Sequence, residues 1–304
     1  MSRPVAKPKA TAAPVGTPLA PKAEDLADQV TVVIVLHRSE AEIDAALASV
    51  PPGVGVVVVD NASPDRSADH AVAAGARLVT NRGNLGFGTG CNRGAALVRT
   101  PYTLFLNPDA RLSPGSLARL VGRLEADPGL GAVAPLLSSR GRVQMPRRNS
   151  LIDVDSPHSF SEIPDEATDV GFLSGAALLV RTDAFRAVGG FDERIFLYLE
   201  DDDLCTRLCR AGYRLQLLPD VVVAHEKKSL RETSLQDHRE QSRNTLLSMR
   251  YLSQKHGVSF DFRTQRLKAV RRFLLALLLL DYRRVQANLG RLQGLGVLPA
   301  ARAK

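Results

Sequence analysis

Three acidic clusters in this 304-residue chain are candidates for chemistry. Asp60-Asn61 closes a buried apolar run, where a carboxylate and an amide can hydrogen-bond a nucleobase or a ribose. The same pair also suits a turn or a helix cap. Asn107-Pro108-Asp109 closes a second such run. Proline stops a strand's hydrogen-bond ladder and leaves Asp109 at the sheet edge, where one carboxylate can hold Mg2+ or Mn2+ with phosphate oxygens and water as the other ligands. The alternative is a cap for a helix beginning near Ser113. Glu200-Asp201-Asp202-Asp203 sets four carboxylates at a helix start. The helix dipole accommodates one or two of them. Four exceed what capping requires, and their repulsion raises at least one pKa, as a general base needs.

Two further features bear on a site. The stretch Asn84-Leu85-Gly86-Phe87-Gly88-Thr89-Gly90-Cys91-Asn92-Arg93-Gly94 lacks the Gly-Lys-Ser/Thr ending of a P-loop, and it follows the third strand rather than the first. Its glycines suit a backbone that approaches a ligand closely. His225 ends a strand, as a structural residue or a metal ligand. Cys205 and Cys209, four apart on a helix, read as core.

The elements that must position these residues alternate. Strand-like runs at Val30–Leu36, Val54–Asp60, Arg77–Thr80 and Tyr102–Leu106 are separated by helical patterns near Glu40–Ser49, Pro64–Ala74 and Leu85–Val98. That order predicts an α/β fold with a mostly parallel central sheet and helices on both faces, and ligands beyond the carboxyl ends of its strands. Residues 138–170 read as an active-site loop or a plain surface loop. Order returns at Phe172–Arg181, with helices near Thr182–Val188 and Leu199–Ala211, strands at Tyr213–Leu218 and Val221–Ala224, and a long helix at Leu235–His256.

Composition is that of an ordinary globular protein, with 44% hydrophobic and 24% charged residues. Residues 1–29 read as a disordered Ala/Pro/Lys-rich tail without the apolar core of a secretory signal. Three cysteines cannot form a disulfide framework, which suggests a cytoplasmic setting. Residues 250–304 carry twelve Lys/Arg against two Asp, although the whole chain is only +8. A near-neutral body with a basic end does not suit a nucleic-acid channel. The run Phe273–Leu280 is too short to span a bilayer, but arginines flank it. Residues 259–304 therefore read as a basic amphipathic helical extension, resting on an anionic membrane surface or docked on the domain or a second subunit of a homo-oligomer.

Taken in order, Val59-Asp60-Asn61-Ala62-Ser63, the Asn84–Gly94 stretch, Leu106-Asn107-Pro108-Asp109, Ser174-Gly175-Ala176, and Gly189-Gly190-Phe191-Asp192-Glu193 running into Glu200–Cys205 resemble the family 2 glycosyltransferases, and among them the bacterial rhamnosyltransferase-like branch. The resemblance covers about Val30 to Lys255. It implies a GT-A domain over 30–258 and inverting transfer of rhamnose or a similar hexose, with dTDP-rhamnose favoured as donor and a glycan or polyprenyl-linked acceptor of cell-envelope polysaccharide synthesis. It also implies Mg2+ or Mn2+ held by Asp109 and His225, Asp201 as catalytic base beside Glu200, and a nucleotide-sugar site involving His37, Asp60, Asn61, Asn84, Gly86, Phe87, Asn92, Asn107 and Gly175. Two departures stand out. Leu36-His37-Arg38 replaces the family's Asn-Tyr-Asn, and Glu226-Lys227-Lys228-Ser229 replaces a Gly-Gly-Ser type stretch. Competing readings are a sugar-phosphate nucleotidyltransferase, against which the glycine-free Leu36–Glu40 segment counts, and a non-catalytic nucleotide-sugar-binding homologue, against which Asp109 and Asp201 count.

Overall fold

Runs of Val, Ile and Leu too β-branched for helix and too short to need one form the centre of the molecule. The computed structural model describes residues 26–152, 159–226 and 234–298. Its strands are β1 (Val30–Leu36), β2 (Gly55–Asp60), β3 (Arg77–Thr80), β4 (Tyr102–Leu106), β5 (Ala110–Arg111), β6 (Leu130–Ser139), β7 (Arg142–Val143), β8 (Thr168–Val170), β9 (Ala177–Arg181) and β10 (Arg214–His225). The helices are α1 (Leu26–Gln29), α2 (Ile43–Ala48), α3 (Ser67–Ala73), α4 (Phe87–Ala95), α5 (Ser116–Ala126), α6 (Thr182–Ala187), α7 (Glu200–Arg210), α8 (Leu235–His256), α9 (Phe262–Leu278) and α10 (Tyr282–Gly294).

One sheet runs in the order β3-β2-β1-β4-β9-β6-β10-β5, with β7 on β6 and β8 on β10. Its first half is parallel. In the second half β9 runs antiparallel to both β4 and β6, while β10 is parallel to β6, so the sheet is mixed. Side chains alternate across it: Val32, Ile34 and Leu36 of β1 join one core cluster, and Val33 and Val35 the other. Burial on both faces is what the uninterrupted apolar runs require.

Several boundaries differ from the sequence expectations. The two strands expected at 213–218 and 221–224 are one strand, broken in register between Leu218 and Val222; Pro219 cannot donate to the ladder, and the chain bulges around it. The N-terminal tail was expected to reach residue 29, but Leu26–Gln29 is helical and Leu26 is only 2% exposed, because it packs under β1; residues 1–25 of the expected tail lie outside the described residues. Cys205 is core as expected, whereas Cys209 is exposed, since α7 turns that position outward.

The C-terminal stretch forms α9 and α10. α10 lies close on α8: a Cβ added to Gly290 would strike the Arg239 carbonyl, and one at Gly294 would crowd Arg243 and Leu246. α9 turns Ala269 and Ala276 inward and leaves Leu267, Leu274 and Leu278 at 73%, 55% and 82% exposed. Among the described residues no helix is long and apolar enough to cross a membrane.

Candidate active site

The carboxyl ends of β1 and β2 lie side by side, with Leu36 in register with Asp60. His37 and Asn61 are thereby neighbours, and His37 Nδ1 is 3.2 Å from the Asn61 carbonyl oxygen. Asp60 is buried, and its Oδ1 accepts the Ser63 N–H at 3.0 Å in an Asx-type turn. Asn61 is committed at both ends of its amide. Nδ2 donates to the Gly86 carbonyl at 2.9 Å, and Oδ1 accepts from Asn81 Nδ2 at 2.6 Å. Arg93 in turn donates to Asn81 Oδ1. Asn61 therefore braces the rim between β2 and the glycine-rich turn. Sequence reading passed over Asn81 and Arg93, although Asn81 follows β3 as Asn61 follows β2.

The glycine-rich stretch makes its close approaches to protein. Gly86 has φ of 86°, and a Cβ there would run into the Phe196 carbonyl oxygen. Asn84 Oδ1 accepts the Gly86 N–H at 3.0 Å, and the Phe87 N–H bonds the Phe196 carbonyl at 3.2 Å. Gly90 and Gly94 let α4 settle onto Val35 and Val33 of β1. The missing side chains of these glycines make room for β1 and for the 191–200 segment. Asn92 clamps that segment, accepting the Phe191 N–H at 2.8 Å and donating to the Phe191 carbonyl at 2.9 Å.

Asp109 meets His225 because β5 pairs antiparallel with the end of β10, Ala110 opposite His225. His225 Nε2 lies 3.1 Å from Asp109 Oδ1 and 3.3 Å from Asn107 Nδ2. A ring nitrogen can donate to the carboxylate or accept from the amide, but not both. His225 Nδ1 is buried without a partner among the described residues. The Asp109 side chain is 28% exposed against 8% for His225, so the carboxylate faces outward from the pair. Nearby, the Glu226 N–H bonds the Asp109 carbonyl and its carboxylate reaches Arg111. Lys227, Lys228 and Ser229 lie outside the described residues, as do 153–158 of the expected 138–170 loop.

A short chain of contacts joins this corner to the acidic cluster. The Asn107 N–H bonds the Ala176 carbonyl at 2.9 Å, and the adjacent Gly175 N–H bonds Asp201 Oδ2 at 3.1 Å. Gly175 also lies against Phe87. The four successive carboxylates then divide. Asp202 Oδ1 accepts from Arg147, Ser150 Oγ and the Leu151 N–H at 2.6–2.8 Å, tying down the 147–151 segment. Asp203 meets Arg207, Lys255 and His256 at 2.6–2.7 Å. Burial alone would raise its pKa, but these partners hold it below the usual range. Among the described residues Asp201 bonds backbone N–H groups, those of Gly175 and Asp202. Glu200 is buried, and no described residue meets its Oε2. Burial, and then the neighbouring carboxylate charge, push both Glu200 and Asp201 up, Glu200 further. Asp202 Oδ2 is likewise buried with no described partner, so what separates the two pairs is contact with a cation.

The mixed sheet, with a carboxylate–imidazole corner at one end and a raised carboxylate beside it, is a fold shared with GT-A type glycosyltransferases. The family model described as Glycosyl transferase family 2 matches residues 31–189, and the chain belongs to that family. It is 32% identical over 237 residues to the N-acetylglucosaminyl-diphospho-decaprenol L-rhamnosyltransferase of Mycobacterium tuberculosis, covering 66% of this chain and 77% of that protein. The rhamnosyltransferase WbbL of Escherichia coli K12 is 31% identical over 162 residues, covering 47% of this chain and 61% of that one. Among solved structures, the mannosyltransferase PcManGT from Pyrobaculum calidifontis, in complex with GDP-Man and Mn2+, superposes with a TM-score of 0.56 at 16% identity, over 88% of this chain and 86% of that one. The protein is thus an enzyme of the rhamnosyltransferase-like part of the family. The family match ends before Glu200, so the acidic cluster lies beyond it.

Proposed function

We propose that this enzyme moves rhamnose, or a similar hexose, from a nucleoside diphosphate donor to a hydroxyl of a polyprenyl-diphosphate-linked sugar, with inversion at the anomeric carbon. The observation that carries the reading is the run Asp109–Asn107–Ala176–Gly175–Asp201, which sets a metal-competent corner and a raised carboxylate on one rim. The relative from M. tuberculosis, named as an L-rhamnosyltransferase of a diphospho-decaprenol-linked substrate, supports a rhamnosyl donor and a lipid-linked acceptor, and dTDP-rhamnose is the donor proposed. Asp201 takes the acceptor hydroxyl proton while that oxygen bonds the anomeric carbon from the face opposite the diphosphate. The bond to the diphosphate breaks, and the nucleoside diphosphate leaves with the electron pair. Glu200, pushed up to about 8 by burial and the charge of Asp201, stays neutral at physiological pH and leaves Asp201 the ionised member. Asp60 and His37, at the ends of β2 and β1, contact the base and ribose, while Asn61, Asn84 and Gly86 shape that rim.

Asp109 and His225 would hold Mg2+ or Mn2+. They fit it: two donors converge at 3.1 Å, the imidazole contacts conflict without a cation, and the carboxylate is the more exposed partner. Among the described residues no group of three or more His, Cys, Asp and Glu forms a cage, so water and diphosphate oxygens would complete the shell. When bound, the ion would supply Lewis-acid neutralisation of the leaving diphosphate.

The acceptor lipid places the reaction at the cytoplasmic face of a membrane, and α9 supports that placement. Along the chain its outward Leu274 and Leu278 lie between Arg271-Arg272 and Arg283-Arg284, and Leu267 lies between Arg263 and Arg271, the composition of a helix resting in an anionic interface. A thermal-shift screen of dTDP-, UDP- and GDP-sugars, with and without Mn2+, tests the site. One nucleotide class is expected to stabilise the protein, metal-dependently, and to lose that effect in Asp109→Ala. Equal shifts in wild type and Asp109→Ala would overturn the assignment of Asp109.

A further inference from the structure

α7 starts under strain. Tyr198 and Leu199, which lead into it, sit at φ of 68° and 69°, a region that costs a non-glycine residue about 1–3 kcal/mol. Leu199, the residue at the N-cap, offers no side-chain cap. A start of this kind persists only where its surroundings over-determine it.

α8 supplies those surroundings. Ser248 Oγ donates to the Leu197 carbonyl at 3.0 Å, and Leu252 packs with Ile195 and Leu199. The Tyr251 hydroxyl and the Lys255 ammonium both reach Asp192 Oδ2 at 2.7 Å. Lys255 Nζ is also 2.6 Å from Asp203 Oδ1, the atom that His256 Nε2 meets at 2.7 Å. Arg210 donates to His256 Nδ1 at 2.7 Å. Nδ1 is therefore the acceptor, and the ring proton sits on Nε2, facing Asp203. Lys255 thus bridges the aspartate of the Gly-Gly-Phe-Asp-Glu segment to the last aspartate of the acidic cluster. The Asp203 side chain is wholly buried, so the grip is not diluted by water.

We propose that Lys255 and His256 are positioning residues for sugar transfer: by gripping Asp192 and Asp203 from behind, they set the placement of the Glu200–Asp201 backbone at the rim. The role rests on the reading of Asp201 as base. Most donor-side groups sit on the ends of β1, β2, β4 and β10, while the glycine-rich turn leans on the 191–200 segment through the Phe87–Phe196 backbone bond. Loss of the grip therefore displaces chiefly the base, and a displacement of about 1 Å can cost on the order of 100-fold in rate.

The test compares Lys255→Met, His256→Ala and His256→Gln with wild type, using dTDP-rhamnose, Mn2+ and a GlcNAc-diphospho-polyprenol. Rates are taken per folded enzyme, with folding followed by circular dichroism, and Asp201→Asn is run alongside. Expected are kcat losses of about 10–100-fold in Lys255→Met and His256→Ala with donor KM unchanged. His256→Gln, which restores an N–H towards Asp203, should recover most of the rate. Unchanged kcat in both Lys255→Met and His256→Ala beside an inactive Asp201→Asn overturns the positioning role and leaves the base reading standing. So does a His256→Gln variant no better than His256→Ala. Full activity in Asp201→Asn removes the base reading, and this role with it.

Discussion

Replacing Asp201 with Asn separates what that side chain does for the fold from what it does for the reaction. Burial first, and the Asp202 charge second, raise Asp201 from 3.8 to about 6. At about 1.4 kcal/mol per pKa unit, keeping it ionised costs the fold on the order of 2–3 kcal/mol. The folded state holds the proton to higher pH than the unfolded chain does. Stability from this group is therefore full below the unfolded value and is lost as pH rises from about 4 through about 6. Asparagine has no such slope. It pays differently: the carboxylate accepts N–H groups from Gly175 at 3.1 Å and Asp202 at 3.0 Å, one on each oxygen. An amide offers a single oxygen and leaves one N–H facing an NH2, at about 1–3 kcal/mol. The two effects nearly cancel above about pH 7, whereas near pH 4 only the lost hydrogen bond remains. Melting followed across this range should show Asp201→Asn well below wild type in acid and close to it near neutrality. Above about pH 6, where Asp201 is ionised, transfer should fall by about 10²–10⁴, the contribution of a general base, or roughly 3–5 kcal/mol of barrier, and the difference should shrink as pH drops below that and the wild-type carboxyl is itself protonated. Melting curves that stay parallel with pH would refute the raised pKa, and retained transfer would refute the proton acceptor.

Two other substitutions probe the frame and the membrane contact. Gly86→Ala combines an unfavourable φ with a collision against the Phe196 carbonyl, so a loss of several kcal/mol, roughly 2–4, is expected in chemical denaturation; wild-type stability would mean that the turn and the 191–200 segment do not touch. Leu274→Glu with Leu278→Glu places charge on the exposed face of α9. Sedimentation with anionic vesicles should fall sharply, while zwitterionic vesicles bind wild type weakly, since each interfacial arginine adds about 1 kcal/mol on an anionic surface. Unchanged sedimentation, or a wild-type dimer that the double variant dissociates, would assign that face to a second copy of the chain.

What the sequence disclosed follows from where burial is uninterrupted. The first four strands were legible because each is a short run that a polar residue ends or follows, apolar throughout most of β1, β2 and β4, and β1 places Val, Ile and Leu on both faces. β6 was not. Leu130-Gly131-Ala132-Val133-Ala134-Pro135 has little strand propensity, and it is a strand because β9 and β10 pair with it on either side. Missing β6 hid the mixed half of the sheet. Pro219 divided β10 on paper but only shifts its register in space. At the site, the types of residue were readable and their partners were not. Asn92 and Phe191 are 99 residues apart, and Asp203 and His256 are 53 apart, so no local spacing announces either contact.

The run Glu200–Asp203 shows what that limit means for function. Read as a string, four like charges look like one feature. In space, each successive residue on a helix points about 100° further round, so the four face four environments. Asp203 turns back to Lys255, Arg207 and His256, and Asp202 turns sideways to Arg147 and the 147–151 backbone. Arg147, Arg207 and Lys255 neutralise the half of the cluster that could not be buried otherwise, since an unpaired buried charge costs several kcal/mol. The half left without a cation, Glu200 and Asp201, is the half whose pKa values rise. The cluster is therefore one device in two parts. Its paired carboxylates fix the helix start rigidly enough that its unpaired ones can be held, desolvated, at the place where the proposed reaction moves a proton.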